Sequence, residues 1–297
     1  MIEQDIKYLV PSNIEEAVEF CSQFGKSARF IAGGTEIVPM ITHGRLKQTY
    51  LIELSRLEQL LVIKQHERCH NIGAAVTLSE LQHSPLIKKY WTALAEASAS
   101  IREPQVRNLG TIGGNLALGV PSADLAPPLL TYDAMIGLVG LKGRRWISLE
   151  EFLIGPYKTA LQSDELVVEI KLPKPECRLG SAFMKLTKFG GSGLSIATVA
   201  VALSTEDDRI TDARLAIGSA GPVPLRVAAA EAFLVGKQPS PEVLSHAGRL
   251  ASEAADPRDG SIRASPIHRR RVLIPLASRA ITLAAERASD QTTGATL

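Results

Sequence analysis

Two glycine clusters are the parts of this sequence best suited to binding an anionic cofactor. The first is Ala32-Gly33-Gly34-Thr35-Glu36, and the second is Gly110-Thr111-Ile112-Gly113-Gly114-Asn115. Glycine lets the main chain adopt φ > 0 and approach a ligand closely, so several backbone N–H groups can face one pyrophosphate. Thr35, Thr111 and Asn115 would add side-chain donors. Either cluster alone is more simply a tight turn, but the pair in one domain indicates a pyrophosphate-binding site.

Two other motifs, and the absence of a third, give no support to an alternative chemistry. His66-Glu-Arg-Cys-His70 matches a zinc pattern that works only when a helix places both histidines on one face. Because this segment lies between β-prone runs and precedes Asn71 and Gly73, we predict a hairpin connection. Gly191-Ser-Gly193 lacks the third glycine of a dinucleotide fingerprint and is expected to be a loop between strands. No triphosphate-binding Gly-x-x-x-x-Gly-Lys-Ser/Thr loop occurs, so we do not expect nucleotide triphosphate chemistry.

Capping and periodicity predict the elements that position the glycine clusters. Ser12 and Glu15 have capping-box spacing, which predicts a helix over residues 12–24. The apolar run 28–32 is expected to be a strand that leads into the first cluster. Thr77 with Glu80 is a second capping box. Further β-prone runs lie at residues 50–54, 60–64 and 71–76, the last two forming a hairpin, and Ser84-Pro85 caps a helix over residues 86–101.

The second half of the chain has a different pattern. A polar, breaker-rich stretch at residues 173–180 marks a domain boundary, so we expect domains at residues 1–175 and 176–297. The predicted strands are residues 194–203 and 210–218, and the predicted helices are residues 224–234, 241–255 and 267–288. This order predicts a sheet with helices on one face.

Composition narrows the classes of function. The 297 residues are 45% hydrophobic and carry a net charge of +2 from 33 interspersed basic and 31 acidic residues, which gives no footprint for nucleic acid. No apolar stretch reaches the roughly 18 residues of a membrane span, and the acidic start does not resemble a secretory signal, so we expect a cytoplasmic protein. Cys21, Cys69 and Cys177 are too far apart for a disulfide framework or an iron–sulfur motif, so no metal is expected on this chain.

Three segments closely resemble the FAD-binding subunits of the xanthine dehydrogenase and carbon monoxide dehydrogenase family. They are FIAGGTEI at residues 30–37, RNLGTIGGN at residues 107–115 and SADLAPPLL at residues 122–130, in the family's order and spacing. The resemblance covers nearly the whole chain. It implies an α+β fold, with a PCMH-type FAD-binding domain followed by a C-terminal domain like that of the carbon monoxide dehydrogenase flavoprotein.

The same resemblance implies which residues hold FAD. The implied residues are Phe30, Ile31, Ala32, Gly33, Gly34, Thr35, Glu36, Ile37, Ile101, Thr111, Gly113, Gly114, Asn115, Asp124, Val167 and Lys185. From the residues alone, Asp124 would instead be a first-turn helix residue behind Ser122, and Lys185 a solvated lysine. Ile101 stands where animal xanthine dehydrogenases have an aromatic beside the flavin, so an aliphatic contact would replace stacking.

The implied function is that of an electron-transfer subunit of a molybdenum hydroxylase. Electrons would come from a molybdopterin-binding subunit through two-iron two-sulfur clusters on an iron–sulfur subunit, and would pass to NAD, a quinone or O2. The expected complex is a dimer of heterotrimers. In this family the flavin carries the redox chemistry, so no catalytic acid or base is assigned to this chain.

Two alternatives remain. A free-standing FAD-dependent oxidase would need its own substrate pocket with a base or a covalent flavin, and the sequence identifies neither. An assembly subunit that has lost flavin is disfavoured by the intact glycine loops. The organic substrate would be chosen by the molybdenum subunit, so purines, carbon monoxide, aldehydes and N-heterocycles stay open, with a xanthine dehydrogenase-like enzyme favoured by the Pro-Ser-Ala-Asp stretch and the absence of an extra cluster.

Overall fold

The first glycine cluster follows a small parallel sheet. A computed structural model describes residues 5–175, 179–189 and 192–290; Cys177 and Gly191, which entered the sequence predictions, lie outside the described residues. The sheet order is β1–β3–β2, from strands β1 (Lys7–Leu9), β2 (Ala28–Ile31) and β3 (Tyr50–Glu53). The predicted strand before the first cluster is therefore confirmed.

Helix α1 (Ile14–Phe24) packs beside this sheet through Ala17, Val18 and Cys21. The helix was predicted to begin at Ser12, but its N-cap is Asn13, whose side chain accepts a hydrogen bond from the backbone N–H of Glu16. The Glu16 carboxylate in turn accepts from the Ser12 backbone N–H at 2.6 Å. The capping interaction is thus real but one residue further along than the sequence indicated.

A five-stranded antiparallel sheet forms the body of the first domain. Its order is β4–β5–β10–β6–β7, and β8 and β9 make a separate two-stranded ribbon. The predicted hairpin is confirmed, because β4 pairs with β5 in the register Ile63↔Ile72, and the backbone N–H of His66 bonds to the carbonyl of Cys69 at its turn. The strands are β4 (Ile63–Gln65), β5 (Cys69–Gly73), β6 (Met135–Gly140), β7 (Gly143–Ser148), β8 (Leu153–Gly155), β9 (Lys158–Thr159) and β10 (Leu166–Pro173).

Short helices surround the two sheets. The caps predicted at Thr77 and Ser84 are confirmed, with both halves of the Thr77–Glu80 capping box formed. The single helix predicted over residues 86–101 is wrong: the chain breaks at Trp91, a fully buried residue whose indole N–H donates to Nδ1 of His70 at 2.9 Å. The helices are α2 (Ile37–Thr42), α3 (Leu78–His83), α4 (Pro85–Tyr90), α5 (Thr92–Ala99), α6 (Pro104–Leu109), α7 (Ile112–Ala117), α8 (Ala126–Thr131) and α9 (Leu149–Phe152).

The second domain is a four-stranded antiparallel sheet covered by helices on one face, as predicted. The strands β11 (Gly180–Phe189), β12 (Ser192–Glu206), β13 (Arg209–Gly218) and β14 (Leu225–Arg226) pair in chain order. Helices α10 (Ala228–Leu234), α11 (Pro241–Ala254) and α12 (Pro266–Asp290) share a core with this sheet. The helix predicted from residue 224 begins later, because β14 first pairs with β13.

The other face of the second sheet packs against the first domain. Glu96 and Asp133 of the first domain form ion pairs with arginines of the second: Arg287 lies 2.5 Å from Glu96, and Arg214 and Arg226 lie 2.8 and 2.6 Å from Asp133. Apolar side chains of both domains also belong to one core. The second domain's members of this core are Phe183, Ala200, Ala202 and Ala216.

Candidate functional site

A cleft of about 710 Å³ lies where the two domains meet, within the roughly 300–1,000 Å³ typical of small-molecule sites. Its lining includes both glycine clusters and residues of β11 and β12. Ile31 is not among the lining residues, because its side chain packs with Leu46 and Leu51 in a separate core. The predicted residues that line the cleft are Phe30, Ala32, Gly33, Gly34, Thr35, Glu36, Ile37, Ile101, Thr111, Gly113, Gly114, Asn115, Asp124, Val167 and Lys185.

The first glycine cluster presents backbone donors to the cleft. It connects β2 to α2, and Gly34 has φ = 68°, the left-handed conformation that glycine adopts without steric cost. Within the described part of the chain, the backbone N–H groups of Gly33, Gly34, Thr35 and Glu36 have no acceptor. Successive N–H groups of this kind form a site for an anion. The first cluster therefore has the free backbone donors that the predicted role requires.

Most backbone N–H groups of the second glycine cluster are already bonded within the protein, contrary to the prediction. The N–H groups of Ile112 and Gly113 bond at 3.0 and 2.8 Å to the carbonyls of Val76 and Ala74, in the segment that follows β5, while those of Gly114 and Asn115 bond to Thr111. These bonds build the first turn of α7, with Thr111 as its N-cap. The glycines also do not have φ > 0 here.

The glycines of the second cluster matter because they have no side chain to occupy space. A Cβ on Gly113 would lie 2.6 Å from the Cβ of Ala74, so this residue lets α7 pack closely on the chain after β5. Gly114 is exposed to the cleft, and a Cβ there would meet only the Thr111 hydroxyl, at 3.0 Å. The absence of a side chain at Gly114 thus leaves space in the cleft for a ligand to approach the backbone.

The two clusters are packed directly against each other. A Cβ on Gly33 would lie 1.5 Å from the carbonyl oxygen of Leu109, one residue before the second cluster. A Cβ on Gly110 would lie 2.8 Å from the carbonyl oxygen of Val106 and 3.7 Å from the Thr35 hydroxyl. This backbone contact makes one continuous wall from two segments that are far apart in sequence.

A buried ion pair closes the cleft on the second domain's side. Lys185 Nζ lies 2.6 Å from Asp124 Oδ2, and both side chains are 8% exposed. Burial raises the pKa of Asp124, whereas Lys185 and then the Ser195 hydroxyl act to lower it. Asp124 Oδ1 is buried and has no hydrogen-bond partner among the described residues. The pair places one unsatisfied carboxylate oxygen at the cleft, where a ligand hydroxyl could donate to it.

Both readings of this pair from the residues alone were wrong. Asp124 does not lie in the first turn of a helix, because α8 begins at Ala126 with Leu125 as its N-cap. Lys185 is not solvated, since it extends from β11 towards the first domain to reach Asp124. The Lys185–Asp124 contact could not be predicted from local sequence pattern, because it joins residues 61 apart.

The remaining predicted residues supply apolar walls. Ile101 follows α5 and is half-buried at the cleft, and Val167 on β10 is 6% exposed. The sequence did not identify Tyr157, which is 69% exposed and has φ = 57°. No motif marks these positions. Other lining residues that were missed are Leu54, Leu60, Ala74, Leu78, Val106, Leu118, Thr159, Leu166 and Leu194.

The chain matches known families over most of its length. Residues 4–175 match the family described as "FAD binding domain in molybdopterin dehydrogenase", and residues 181–284 match the "CO dehydrogenase flavoprotein C-terminal domain". No helix in the described part of the chain is long and apolar enough to span a membrane. Nor do the described residues group three or more histidine, cysteine or acidic side chains where they could hold a metal.

Curated relatives include the carbon monoxide dehydrogenase medium chain of Hydrogenophaga pseudoflava, 31% identical over 87% of this chain and 90% of that protein. The putative xanthine dehydrogenase FAD-binding subunit of Escherichia coli K12 is 32% identical over 69% of this chain and 70% of that protein. Among solved structures, carbon monoxide dehydrogenase from Hydrogenophaga pseudoflava superposes with a TM-score of 0.92, covering 97% of this chain and 99% of that chain at 31% identity. Quinoline 2-oxidoreductase from Pseudomonas putida 86 gives 0.90, covering 95% and 98% at 28% identity.

Sequence and fold therefore agree over both domains. The predicted α+β fold, an FAD-binding domain followed by a carbon monoxide dehydrogenase flavoprotein-like domain, is confirmed. The chain belongs to the flavoprotein subunits of the molybdenum-dependent dehydrogenases, a family of oxidoreductases.

Proposed function

We propose that this chain binds FAD in the interdomain cleft and serves as the electron-transfer subunit of a molybdenum hydroxylase. The observation that carries this proposal is the row of free backbone N–H groups from Gly33 to Glu36 in the lining of a cleft that Asp124, with its unpartnered Oδ1, also lines. Donors for a pyrophosphate and an acceptor for a hydroxyl are the two polar groups that a dinucleotide with a polyol linker needs.

The residues present fit FAD. The N–H groups of the first cluster would hold the pyrophosphate, and the bare surface at Gly114 would let it lie close to the backbone. Asp124 Oδ1 and Asn115 Oδ1 are both buried without partners among the described residues, so they would accept from ribityl hydroxyls. Ile101 and Val167 would contact the ring system through aliphatic side chains.

When bound, FAD supplies the redox chemistry that the side chains of this protein lack. The proposed electron donor is a two-iron two-sulfur cluster on an iron–sulfur subunit, itself supplied by a molybdopterin-binding subunit that oxidises the organic substrate. The proposed acceptor is NAD, a quinone or O2, and the proposed assembly is a cytoplasmic dimer of heterotrimers. Support comes from the relatives, which are named as the medium chain or FAD subunit of multi-subunit dehydrogenases.

The proposal is tested by expressing the whole chain alone and titrating it with FAD. We expect one FAD per chain, the absorption bands of oxidised flavin, and no oxidation of purines or aldehydes without partner subunits. A tagged copy expressed at native level should co-purify with an iron–sulfur subunit and a molybdopterin subunit. A lone chain that oxidises an organic substrate would instead be a free-standing oxidase, and a folded chain that takes up no FAD would be a flavin-less assembly subunit.

A further inference from the structure

A strained residue lies in the second domain next to the cleft. Ser219 follows β13, is 9% exposed and has φ = 60°, a left-handed conformation that costs energy in a residue with a Cβ. Such a conformation persists only when the surrounding contacts enforce it. The contacts of Ser219 therefore identify the groups that enforce this conformation.

All three polar groups of Ser219 are engaged. Its backbone N–H donates to the carbonyl of Pro121 at 3.1 Å, a contact with the first-domain loop that leads to Asp124. Its hydroxyl lies 2.5 Å from the hydroxyl of Ser195, and its carbonyl accepts from Arg269 Nη1, also at 2.5 Å. One residue thus connects the Asp124 loop, the neighbouring serine on β12 and a buried arginine.

Arg269 is unusual because its buried charge has no carboxylate partner in the described part of the chain. The residue is 6% exposed and lies near the start of α12. Its guanidinium donates to the carbonyls of Ile196 and Ser219 and to the Ser261 hydroxyl at 2.9 Å. Burial, together with nearby Arg263 and Arg258, lowers the pKa of Arg269. Desolvating a cation is costly, and these three hydrogen bonds compensate for it, so the guanidinium holds the two carbonyls together.

We propose that Arg269 and Ser219 are positioning residues that fix the Asp124 carboxylate at the cleft. Arg269 clamps the ends of β12 and β13 through Ile196 and Ser219. Ser219 then holds the Asp124 loop through Pro121, and it orients the Ser195 hydroxyl that acts on Asp124. This inference rests on the proposed function, because it assigns to Arg269 and Ser219 a role in FAD affinity. Neither residue lines the cleft, so both would act through Asp124 and not by contact with FAD.

The first test is Arg269→Lys, which keeps the charge but loses the fork that reaches two carbonyls. The matched control is Arg270→Lys on the next residue of α12, whose guanidinium donates to the carbonyl of Ala255. We expect Arg269→Lys to raise the Kd for FAD by about twofold to tenfold, the effect of losing one ordinary hydrogen bond. Arg270→Lys should leave the Kd unchanged.

The second test is Ser219→Gly, which relieves the strain and removes the hydroxyl. Its control is Asp208→Gly, because Asp208 also has φ = 60° and lies in the turn at the other end of the same β12–β13 hairpin. Both variants should unfold at the same temperature as the FAD-free wild type or at a higher one. Only Ser219→Gly should bind FAD more weakly, so affinity and stability would change independently, which a purely structural role does not produce.

A double-mutant cycle with Asp124→Ala identifies the route of the effect. If Arg269 and Ser219 act through Asp124, then Arg269→Lys and Ser219→Gly should add nothing to the Kd once Asp124 is alanine. Full additivity, or wild-type affinity in both single variants, would overturn the inference while leaving the FAD site intact. If Asp124→Ala itself leaves the Kd unchanged, the failure lies in the assignment of Asp124 to the FAD site.

Discussion

Gly114→Ala is the most direct test of the idea that the second glycine cluster contributes space. Gly114 lies in the first turn of α7, does not have φ > 0, and is exposed to the cleft. Alanine is favoured over glycine in a helix by roughly 0.5–1 kcal/mol. The only close contact of the new Cβ is the Thr111 hydroxyl at 3.0 Å, which offsets part of that gain. We therefore expect the FAD-free variant to be as stable as the wild type or up to about 1 kcal/mol more stable.

The affinity for FAD should change in the opposite direction. A methyl group inserted into a well-packed contact costs about 1–3 kcal/mol, which corresponds to an increase in Kd of about fivefold to 150-fold. The assay is fluorescence titration of deflavinated protein with FAD, combined with urea unfolding of the FAD-free protein. Gly155→Ala is the control, because a Cβ there meets nothing within 4 Å. Wild-type affinity in a folded Gly114→Ala protein would show that the ligand does not lie against α7 and would refute the two-cluster site.

Three further outcomes are expected. Thr111→Ala should destabilise the FAD-free protein by about 1 kcal/mol in urea unfolding, because it removes the hydroxyl that caps the Gly114 N–H, while Thr111→Ser should restore it. Gly33→Ala should lower the free energy of unfolding by about 3 kcal/mol or abolish the yield of soluble protein, because its Cβ would overlap the Leu109 carbonyl. A well-folded Gly33→Ala variant would contradict this backbone contact. Burial, followed by the charges of Lys174 and His66, lowers the pKa of His70. The contribution of His70 to the free energy of unfolding should therefore be constant above about pH 6.5 and fall as the pH decreases below it, where the unfolded chain takes up the proton first. His70→Gln should remove that part of the pH dependence; an unchanged slope would show that other groups cause it.

Local signals in the sequence predicted local structure well. The Thr77–Glu80 capping box, the Ser84-Pro85 start and the β4–β5 hairpin are all formed, because each depends on residues only a few positions apart. The break at Trp91 was not predictable in the same way. It depends on where a large buried indole finds a hydrogen-bond partner, and that partner, His70, is 21 residues away.

Long-range contacts also explain which site predictions were incomplete. Glycine content predicted both clusters, but not that most N–H groups of the second are bonded within the protein, because their acceptors include the carbonyls of Ala74 and Val76. The residue type alone predicted a surface lysine at Lys185, but in the fold β11 lies beside the Asp124 loop and Lys185 forms a buried ion pair. Tyr157 lines the cleft from a turn whose backbone N–H bonds to the carbonyl of Gly119, a contact that no sequence motif marks.

In the proposed FAD site, three parts of the chain contribute to binding. The first cluster contributes donors, the second contributes space, and the second domain contributes the cation that compensates a buried carboxylate. None of these is a complete anion or nucleotide site by itself, which explains why each cluster alone is indistinguishable from a tight turn. The Lys185–Asp124 pair forms only while the domains are in contact. The interdomain ion pairs of Glu96 and Asp133 with three arginines, and the hydrogen bond from the Tyr132 hydroxyl to Ser181, therefore stabilise the binding geometry although none of these residues lines the cleft.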